Sequence, residues 1–498
     1  MTKKISLTGK DLTPSDLRHI AYGAGVDLAP EALSRMQTTN NHLVDAISLD
    51  QPMYGITTGL GPRVVERLDA DAQSQMSLNT VRGRAHAVGD RLPVPIVRAA
   101  MAIRLNTLLT GASGSRPALA QHIAACLDAD LTPLVRETGS IGAADLMWGA
   151  SMGLPLLGEG TMLTAAGPVP ASEALASAGI APFQPGPREG LALANHSSFT
   201  YAFSALGLVQ ALNAIETAQT AAALSLEGFR ANLSPFDPRV LALRSMPGQA
   251  RAAEGVLSRL AGSELLEAGH ARRVQDPLSF RNVPQVHGAV FAAISALDQV
   301  LKIELNGSPD NPVVLKDSGD VLSSGHYLVT HLAITLGAVN QSLMHLAAAQ
   351  VARMSKQVHP RFTDLPVGLA AEHAGTAGFA PAMKTAEALF AEIAHLALPP
   401  QVYPAAAADT VEDVLTNAPV AAKALEQICD RLARLSAMEL MIAAQHVELR
   451  APARTAPAMQ DVISRARETV APLTGDRSLS EDIEALTQRI CSGGFAQT

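Results

Sequence analysis

Long stretches of helix-forming residues dominate the second half of the chain. The segment 198–230 consists almost entirely of residues that favour helices, and similar alanine-rich stretches cover 285–303, 327–357, 378–397 and 417–450. Several of these stretches are apolar on more than one face, so the pattern predicts helices that are buried on several sides. Polar or proline-rich joints separate them, which predicts a bundle of long helices rather than one continuous rod.

The first part of the chain alternates short helical patches with turns rich in glycine and proline. A helix start is predicted at Pro30, and residues 94–110 have the pattern of an amphipathic helix. Segment 159–190 is rich in glycine, proline and serine, which favours short strands or loop. The pattern therefore predicts a mainly α-helical protein with a loop-rich N-terminal domain, 1–200, followed by a long-helix bundle, 201–498.

Composition narrows the function classes. The 498 residues are 48% hydrophobic and 17% charged, which is enough apolar material for a large core, and the net charge of −8 comes without a basic block. Nucleic acid is therefore not an expected partner. The polar N-terminus and three widely spaced cysteines are typical of a cytoplasmic protein. No run of about 18 uncharged apolar residues occurs, so no membrane partner is expected, and no metal-binding motif predicts a metal.

Seven short motifs combine turn residues with reactive side chains, and each alone fits an ordinary turn or helix cap. In chain order they are YGITTGLG (54–61), LNTVRGRAHAVG (78–89), GSIGAADL (139–146), REGLALANHS (188–197), VQDPLSFR (274–281), SPDNP (308–312) and VEDV (411–414). Together and in this order they resemble the motifs of the aromatic amino acid ammonia-lyases, the family of histidine and phenylalanine ammonia-lyases. The resemblance implies the ammonia-lyase fold and a homotetramer with composite active sites.

The resemblance also implies roles for individual residues. Tyr54 corresponds to the base that removes the β-proton, and Arg281 corresponds to the group that holds the substrate carboxylate, which a guanidinium does well. Glu412 is expected to balance a cationic substrate or to accept a hydrogen bond from its ring. Asn195 and Asn311 are expected to line the pocket and orient the substrate.

Four further residues are predicted to bind the substrate because they depart from the family pattern or lie beside its pocket positions. Arg84 replaces a histidine and is a candidate for stabilising the Tyr54 phenolate, whereas His196 replaces a glycine. Tyr327 stands where the family often has phenylalanine, and its ring could face a cation. Lys384 lies in an otherwise apolar stretch, where it could bind the substrate or remain on the surface.

The loop that should carry the family's electrophile is degenerate. The family forms a methylidene-imidazolone by cyclising an internal Ala-Ser-Gly, but residues 142–145 here read Gly-Ala-Ala-Asp, with no serine and no glycine after the alanine. This segment cannot form that group, so the protein is predicted to use no cofactor. The Ala-Ser-Gly at 112–114 falls where the family has a structural Tyr-Ser-Gly.

Without the electrophile, the amine of the substrate must leave by itself. A quaternary trimethylammonium does so, because it departs as neutral trimethylamine. The chain thus resembles the electrophile-free branch of the family, the ergothionases, and is predicted to be a carbon–nitrogen lyase that converts ergothioneine, the betaine of 2-thiohistidine, to thiolurocanate. Two alternatives stay open: a lyase acting on another betaine such as hercynine, and a non-catalytic binding protein on the same fold.

Overall fold

Two compact units make up the chain, and neither is a continuous segment. A computed structural model describes residues 4–49, 51–370, 375–404, 407 and 411–496. Unit 1 comprises Met1–Leu206, Asp298–Ile334 and Pro400–Lys423, and unit 2 comprises Gly207–Leu297, Thr335–Pro399 and Ala424–Thr498. This division differs from a single cut near residue 200, because two later segments pack with the N-terminal part of the chain. The domains 1–200 and 201–498 stay a prediction.

The N-terminal part of unit 1 contains eight short or medium helices within the described residues. They are α1 (Pro14–Ala21), α2 (Pro30–Ser48), α3 (Ala70–Arg82), α4 (Val94–Leu108), α5 (Pro117–Asp128), α6 (Leu146–Leu156), α7 (Ala171–Ser177) and α8 (Glu189–Ala194). Helix α1 begins where the Thr13 side chain accepts a hydrogen bond from the Asp16 N–H, and Pro14 occupies the first turn. The predicted helix start at Pro30 and the predicted helix at 94–110 are confirmed.

Short strands connect these helices. They are β1 (Ile5–Leu7), β2 (Val26–Leu28), β3 (Val88–Arg91), β4 (Thr132–Pro133), β5 (Arg136–Thr138), β6 (Thr161–Thr164), β7 (Gly167–Pro170), β8 (Val313–Val314) and β9 (Val321–Leu322). β1 pairs with β2 in parallel, whereas β3–β5, β4–β6–β7 and β8–β9 are antiparallel. The strands predicted in 159–190 are confirmed, but α7 was not predicted there because seven residues are too few to show a helical period.

Long helices make up most of the remaining chain. They are α9 (Ser198–Phe229), α10 (Pro238–Ala242), α11 (Gln249–Arg259), α12 (Leu278–Arg281), α13 (Val283–Glu304), α14 (Thr330–Gln357), α15 (Pro360–Thr363), α16 (Ala382–Leu396), α17 (Ala418–Arg450), α18 (Pro457–Arg467) and α19 (Ser480–Cys491). The five long helices predicted from the alanine-rich stretches are confirmed as α9, α13, α14, α16 and α17. Inside unit 2, the Arg353–Glu439 ion pair is fully buried, with an Nε–Oε1 distance of 2.7 Å.

Three helical segments are long and apolar enough to cross a membrane, judged by length and composition only. They are Glu189–Phe229, Val283–Glu304 and Thr330–Gln357, and the chain itself buries 78%, 39% and 44% of their most apolar windows. No membrane-spanning segment was expected from the sequence, because the criterion there was a run of apolar residues without charges. Length and composition alone select these three segments. The segments α13 and α14 therefore keep more than half of their apolar windows uncovered within one chain.

Candidate active site

A pocket of about 400 Å³ in unit 1 brings together most of the predicted site residues. Six of the nine predicted residues line it: Tyr54, Arg84, Asn195, Asn311, Tyr327 and Glu412. Apolar side chains complete the wall, among them those of Leu60, Leu146, Leu191 and Leu328. The volume lies in the range that encloses a small organic ligand, and a mainly apolar wall with a few convergent polar groups is typical of binding sites.

Tyr54 lies half-buried on the glycine-rich loop that was predicted to carry it. Its hydroxyl oxygen accepts a hydrogen bond of 3.2 Å from the Gly61 N–H. Gly61 has a φ of +56°, a conformation that favours glycine, and this brings its N–H round to the phenol. A donated hydrogen bond stabilises a phenolate. The structure therefore places the Gly61 N–H at this oxygen, and the stabilisation of the phenolate by Arg84 stays a prediction.

The degenerate loop forms part of the pocket wall and is held by hydrogen bonds to its unmodified backbone. The Ala144 N–H donates to the Tyr327 carbonyl oxygen at 3.2 Å, and Ala143 pairs with Leu328 in an antiparallel bridge. On the other side, the Thr416 hydroxyl donates to the Gly142 carbonyl oxygen at 2.8 Å. Of the loop residues, Ala143 contributes to the lining of the pocket. The Ala143 methyl group therefore lies at this wall, where it can contact a ligand but cannot react with it.

Asp145 fixes the end of this loop from inside the protein. Its carboxylate accepts hydrogen bonds from the Ser140 hydroxyl at 2.6 Å and from both the N–H and the hydroxyl of Thr200 at 2.8 Å. Thr200 lies in the first turn of α9, where free N–H groups favour a carboxylate. Burial nevertheless dominates and raises the pKa of Asp145 to about 6, while these hydrogen bonds and one from the Phe199 backbone oppose the shift.

Asn195 and Asn311 form a second polar wall. The Asn195 side chain donates to the Asn311 carbonyl oxygen at 3.4 Å, and the Asn311 side-chain oxygen accepts from the Ser324 N–H at 2.9 Å. Behind them, the fully buried Asp310 carboxylate contacts two arginines, Arg104 at 2.8 Å and Arg188 at 3.0 Å. These guanidinium groups overcome the effect of burial and lower the pKa of Asp310.

The charged and phenolic groups of the pocket influence one another. Burial raises the pKa of Glu412, and the positive charge of Arg84 partly opposes that shift. Burial also raises the pKa of Tyr327, with further contributions from Tyr54 and Glu412. Glu412 is half-buried and its backbone N–H donates to the Ala407 carbonyl oxygen. Tyr54 and Glu412 therefore lie close enough to Tyr327 to influence its pKa, and Arg84 lies close enough to Glu412 to do the same.

Three predicted residues do not line this pocket. His196 is fully buried: its Nε2 contacts the Leu193 carbonyl oxygen at 3.0 Å, and its Nδ1 accepts from the Ser198 N–H at 3.3 Å. Burial lowers its pKa to about 3, so the ring is neutral, and both nitrogens serve the chain rather than a ligand. Arg281, at the end of α12, and Lys384, exposed in α16, both belong to unit 2.

Sequence reasoning missed several lining residues. Asp413, beside the predicted Glu412, also lines the pocket, and the second acidic residue of the Val-Glu-Asp-Val motif was the available signal. Val411 and Val414 of the same motif line it as well, although isolated valines in a loop carry no sequence signal. The acidic side of the pocket is therefore broader than predicted.

The pocket does not fit the family's electrophile. Cyclisation needs a serine to become the methylidene and a flexible glycine nitrogen to attack a carbonyl, whereas residues 143 and 144 are alanines and the Ala144 N–H is hydrogen-bonded to Tyr327. Among the residues that the structure describes, no group of three or more His, Cys, Asp or Glu side chains could hold a metal ion.

Known proteins with similar sequences and folds place the chain in a family. The profile described as aromatic amino acid lyase matches residues 12–468. Histidine ammonia-lyase of Anaeromyxobacter sp. (strain K) is 36% identical over 503 residues, which cover 98% of this chain and 99% of that protein.

Solved structures agree with this family and with the predicted fold. Ergothionase from Treponema denticola, in complex with desmethyl-ergothioneine sulfonic acid, is similar with a TM-score of 0.94 and 28% identity, covering 100% of both chains. Histidine ammonia-lyase from Trypanosoma cruzi gives 0.91 and 28%, covering 99% of this chain and 94% of that one. The chain has the ammonia-lyase fold and belongs to the aromatic amino acid lyase family.

Proposed function

We propose that this lyase eliminates trimethylamine from an aromatic amino acid betaine, with ergothioneine as substrate and thiolurocanate as product. The observation that carries the proposal is the combination of an intact pocket with a loop that cannot form the electrophile. A family member that kept the base but lost the electrophile needs a substrate whose amine leaves unaided. A quaternary ammonium has no lone pair that an electrophile could capture. Loss of the electrophile therefore does not impair elimination from such a substrate.

The charge and aromatic character of the pocket support a quaternary ammonium ligand. Tyr54 and Tyr327 provide two aromatic rings, and Glu412 and Asp413 provide two carboxylates, whereas Arg84 alone provides a positive charge among the lining residues that the structure describes. Aromatic rings together with nearby negative charge are the usual means of recognising quaternary ammonium groups. A pocket of this character favours a betaine over a substrate that is only anionic.

In the proposed reaction, the Tyr54 phenolate removes a proton from the β-carbon of the substrate. The electrons of that C–H bond form the Cα–Cβ double bond, and the Cα–N bond breaks with its electron pair leaving on trimethylamine. The hydrogen bond from the Gly61 N–H stabilises the phenolate before the proton is transferred. The products are a conjugated acrylate and one neutral amine, so the step needs no oxidant or second reactant.

The proposal includes the assembly. Neither Arg281 nor Lys384 is among the described residues that line the chain's own pocket. In the proposal, another copy of the chain therefore supplies both residues. Arg281 then holds the substrate carboxylate, and Lys384 lies beside it. The uncovered apolar windows of α13 and α14 would be buried in a cytoplasmic homotetramer. Four chains of 51.9 kDa have a combined mass of about 208 kDa. Light scattering at micromolar concentration tests this, and a monomer would contradict it.

The activity is tested by incubating the protein separately with ergothioneine, hercynine and histidine. Trimethylamine is quantified by mass spectrometry and the acrylate by its ultraviolet absorbance. We expect equal amounts of both products from ergothioneine and no ammonia from histidine. Ammonia release from histidine would instead support histidine ammonia-lyase activity, for which the sequence relatives are named. Absence of any product would favour a binding protein.

The proposed base is tested with Tyr54→Phe, which removes the phenol oxygen and keeps the ring. Loss of a general base lowers turnover by roughly 10²- to 10⁴-fold. We expect a change of this size in kcat with little change in substrate affinity. Tyr22→Phe is the matched control, because Tyr22 is 69% exposed and is not among the described residues that line the pocket. Near-normal turnover by the Tyr54→Phe variant would move the role of base to another group, with Glu412 first.

A further inference from the structure

A lysine of α17 contacts the strand that leads into the degenerate loop. Lys423 is half-buried, and its ammonium donates a hydrogen bond to the Glu137 carbonyl oxygen in β5. The same ammonium lies 5.2 Å from the ring centre of Trp148 and 5.8 Å from that of Phe203, which are cation–π distances. All four residues belong to unit 1. Lys423 therefore joins α17 to β5 and to the aromatic side chain of α6.

Trp148 connects the two ends of the degenerate loop. It is 1% exposed, and its indole N–H donates to the Arg136 carbonyl oxygen at 2.9 Å, so the ring reaches from α6 back to β5. A Cβ added to Gly139, at the start of the loop, would lie 2.9 Å from Cδ1 of the indole, so the loop packs directly against the ring. Lys423 thus contacts both the strand before the loop and the side chain that closes it.

The loop has a backbone conformation that needs support from its surroundings. Ala144 has a φ of +60°, a region that favours glycine and is strained for alanine. Strained residues of this kind persist only where the surrounding structure fixes them. Ala143 and Leu146, on either side of Ala144, line the pocket. A displacement of this segment would therefore move two side chains of the pocket wall.

We propose that Lys423 is a positioning residue: its ammonium, bound over the Trp148 ring and to the Glu137 carbonyl oxygen, holds the degenerate loop in place at the pocket wall. Lys423 is not among the described residues that line the pocket, so it acts on a ligand through Ala143 and Leu146. A cyclised backbone would restrict this segment by itself, whereas an open backbone needs noncovalent contacts to keep one conformation. The inference goes beyond the proposed function, because it concerns the loop before any ligand binds.

Lys423→Met tests the assignment, because methionine removes the charge and the donor while its thioether still packs well against aromatic rings. Hydrogen–deuterium exchange, measured by mass spectrometry, follows the amide N–H groups of residues 139–146. We expect these amides to exchange roughly 5- to 30-fold faster in the variant, the effect of losing one desolvated cation–π contact. Lys423→Arg, which keeps a cation and N–H donors, should restore slow exchange.

Turnover of ergothioneine shows whether the position of the loop matters for the reaction, and this part of the test rests on the proposed function. A misplacement of about 1 Å can lower a rate roughly 100-fold, because the reacting atoms are then poorly oriented. We expect kcat to fall roughly 10- to 100-fold in Lys423→Met, with a smaller change in KM, and to recover in Lys423→Arg.

Lys302→Met is the matched control, because it removes an exposed helical lysine of unit 1 whose described partner is Asp298. It should change neither the exchange of residues 139–146 nor the turnover. If Lys423→Met fails to fold, Lys423→Gln takes its place, since glutamine keeps an N–H donor and removes the charge. Faster exchange of the same residues is expected there.

Unchanged exchange of residues 139–146 would overturn the role of Lys423, and so would faster exchange spread evenly over the chain. Faster exchange of the loop with normal turnover would overturn it as well, because the loop would then not position the substrate. A wild-type protein that releases no trimethylamine would overturn the proposed function instead, and the exchange measurement would still decide whether Lys423 holds the loop.

Discussion

Two buried aspartates support two parts of the pocket wall, and their carboxylates are bound by different kinds of group. Asp145 holds the degenerate loop through hydroxyl and N–H donors, all of them neutral, and its pKa is raised to about 6. Asp310 holds the Asn311 wall between Arg104 and Arg188, and its pKa is lowered. Both carboxylates are fully shielded from solvent, so burial alone does not decide the direction of the shift.

The difference shows which interaction decides the charge of a buried carboxylate. Neutral donors offset only part of the cost of burying the anion, whereas two guanidinium groups offset all of it. The consequences for stability have opposite signs. Folding favours the protonated form of Asp145 and the ionised form of Asp310, so the two walls should respond to pH in opposite directions.

Asp310→Asn should have the largest effect. It leaves two buried guanidinium groups facing a neutral amide, and breaking a buried ion pair in this way costs about 3–5 kcal/mol of unfolding free energy. Urea unfolding at pH 7 measures this. Glu159→Gln, in the exposed pair with Arg82, is the control and should shift the midpoint little. Equal midpoints for the two variants would show that the arginines do not depend on Asp310.

Asp145→Asn should remove a dependence on pH. Because the folded pKa lies above the unfolded value of 3.8, the stabilisation from the protonated form is complete below pH 3.8 and is lost as the pH rises through about 6. A shift of this size corresponds to about 3 kcal/mol. The variant stays neutral, so its unfolding midpoint should change less between pH 4 and pH 8 than that of the wild type, apart from a constant offset because the amide nitrogen cannot accept the Thr200 N–H bond. Identical profiles of unfolding midpoint against pH would contradict the raised pKa.

The contrast between these aspartates marks the limit of what the sequence could predict. The long helix α9 was predictable because every residue of 198–230 contributes to its pattern. The environment of Asp145 was not, because its donors come from Ser140 and from Thr200, which lies 55 residues away in the chain.

The site shows the same limit. Motif resemblance located Tyr54, Asn195, Asn311 and Glu412, because each lies in a short motif that the resemblance covers. The same resemblance named His196 as a substrate ligand, although its ring turns inward to Leu193 and Ser198. A replaced residue shows that a position has changed, but it does not show where the new side chain points.

Gly142→Ala should have a smaller effect on the Asp145 side. Gly142 has a φ of +77°, and an added Cβ would lie 2.2 Å from the Thr416 hydroxyl oxygen. Strained backbone of this kind costs about 1–3 kcal/mol, and the loop should also shift at the pocket wall. The control is Gly167→Ala, since Gly167 has a φ of +111° with nothing near its added Cβ. Both positions have a positive φ, so a greater loss of stability and activity at position 142 than at 167 would be due to the contact of the added Cβ with Thr416.

The central claim is that the reaction proceeds without the family's electrophile. The most direct test measures the intact mass of the protein and then its turnover of ergothioneine before and after treatment with borohydride, which reduces such an electrophile. The account predicts the mass of the unmodified sequence, with no loss of water, and equal turnover before and after treatment. A mass lowered by loss of water, or turnover abolished by borohydride, would contradict it.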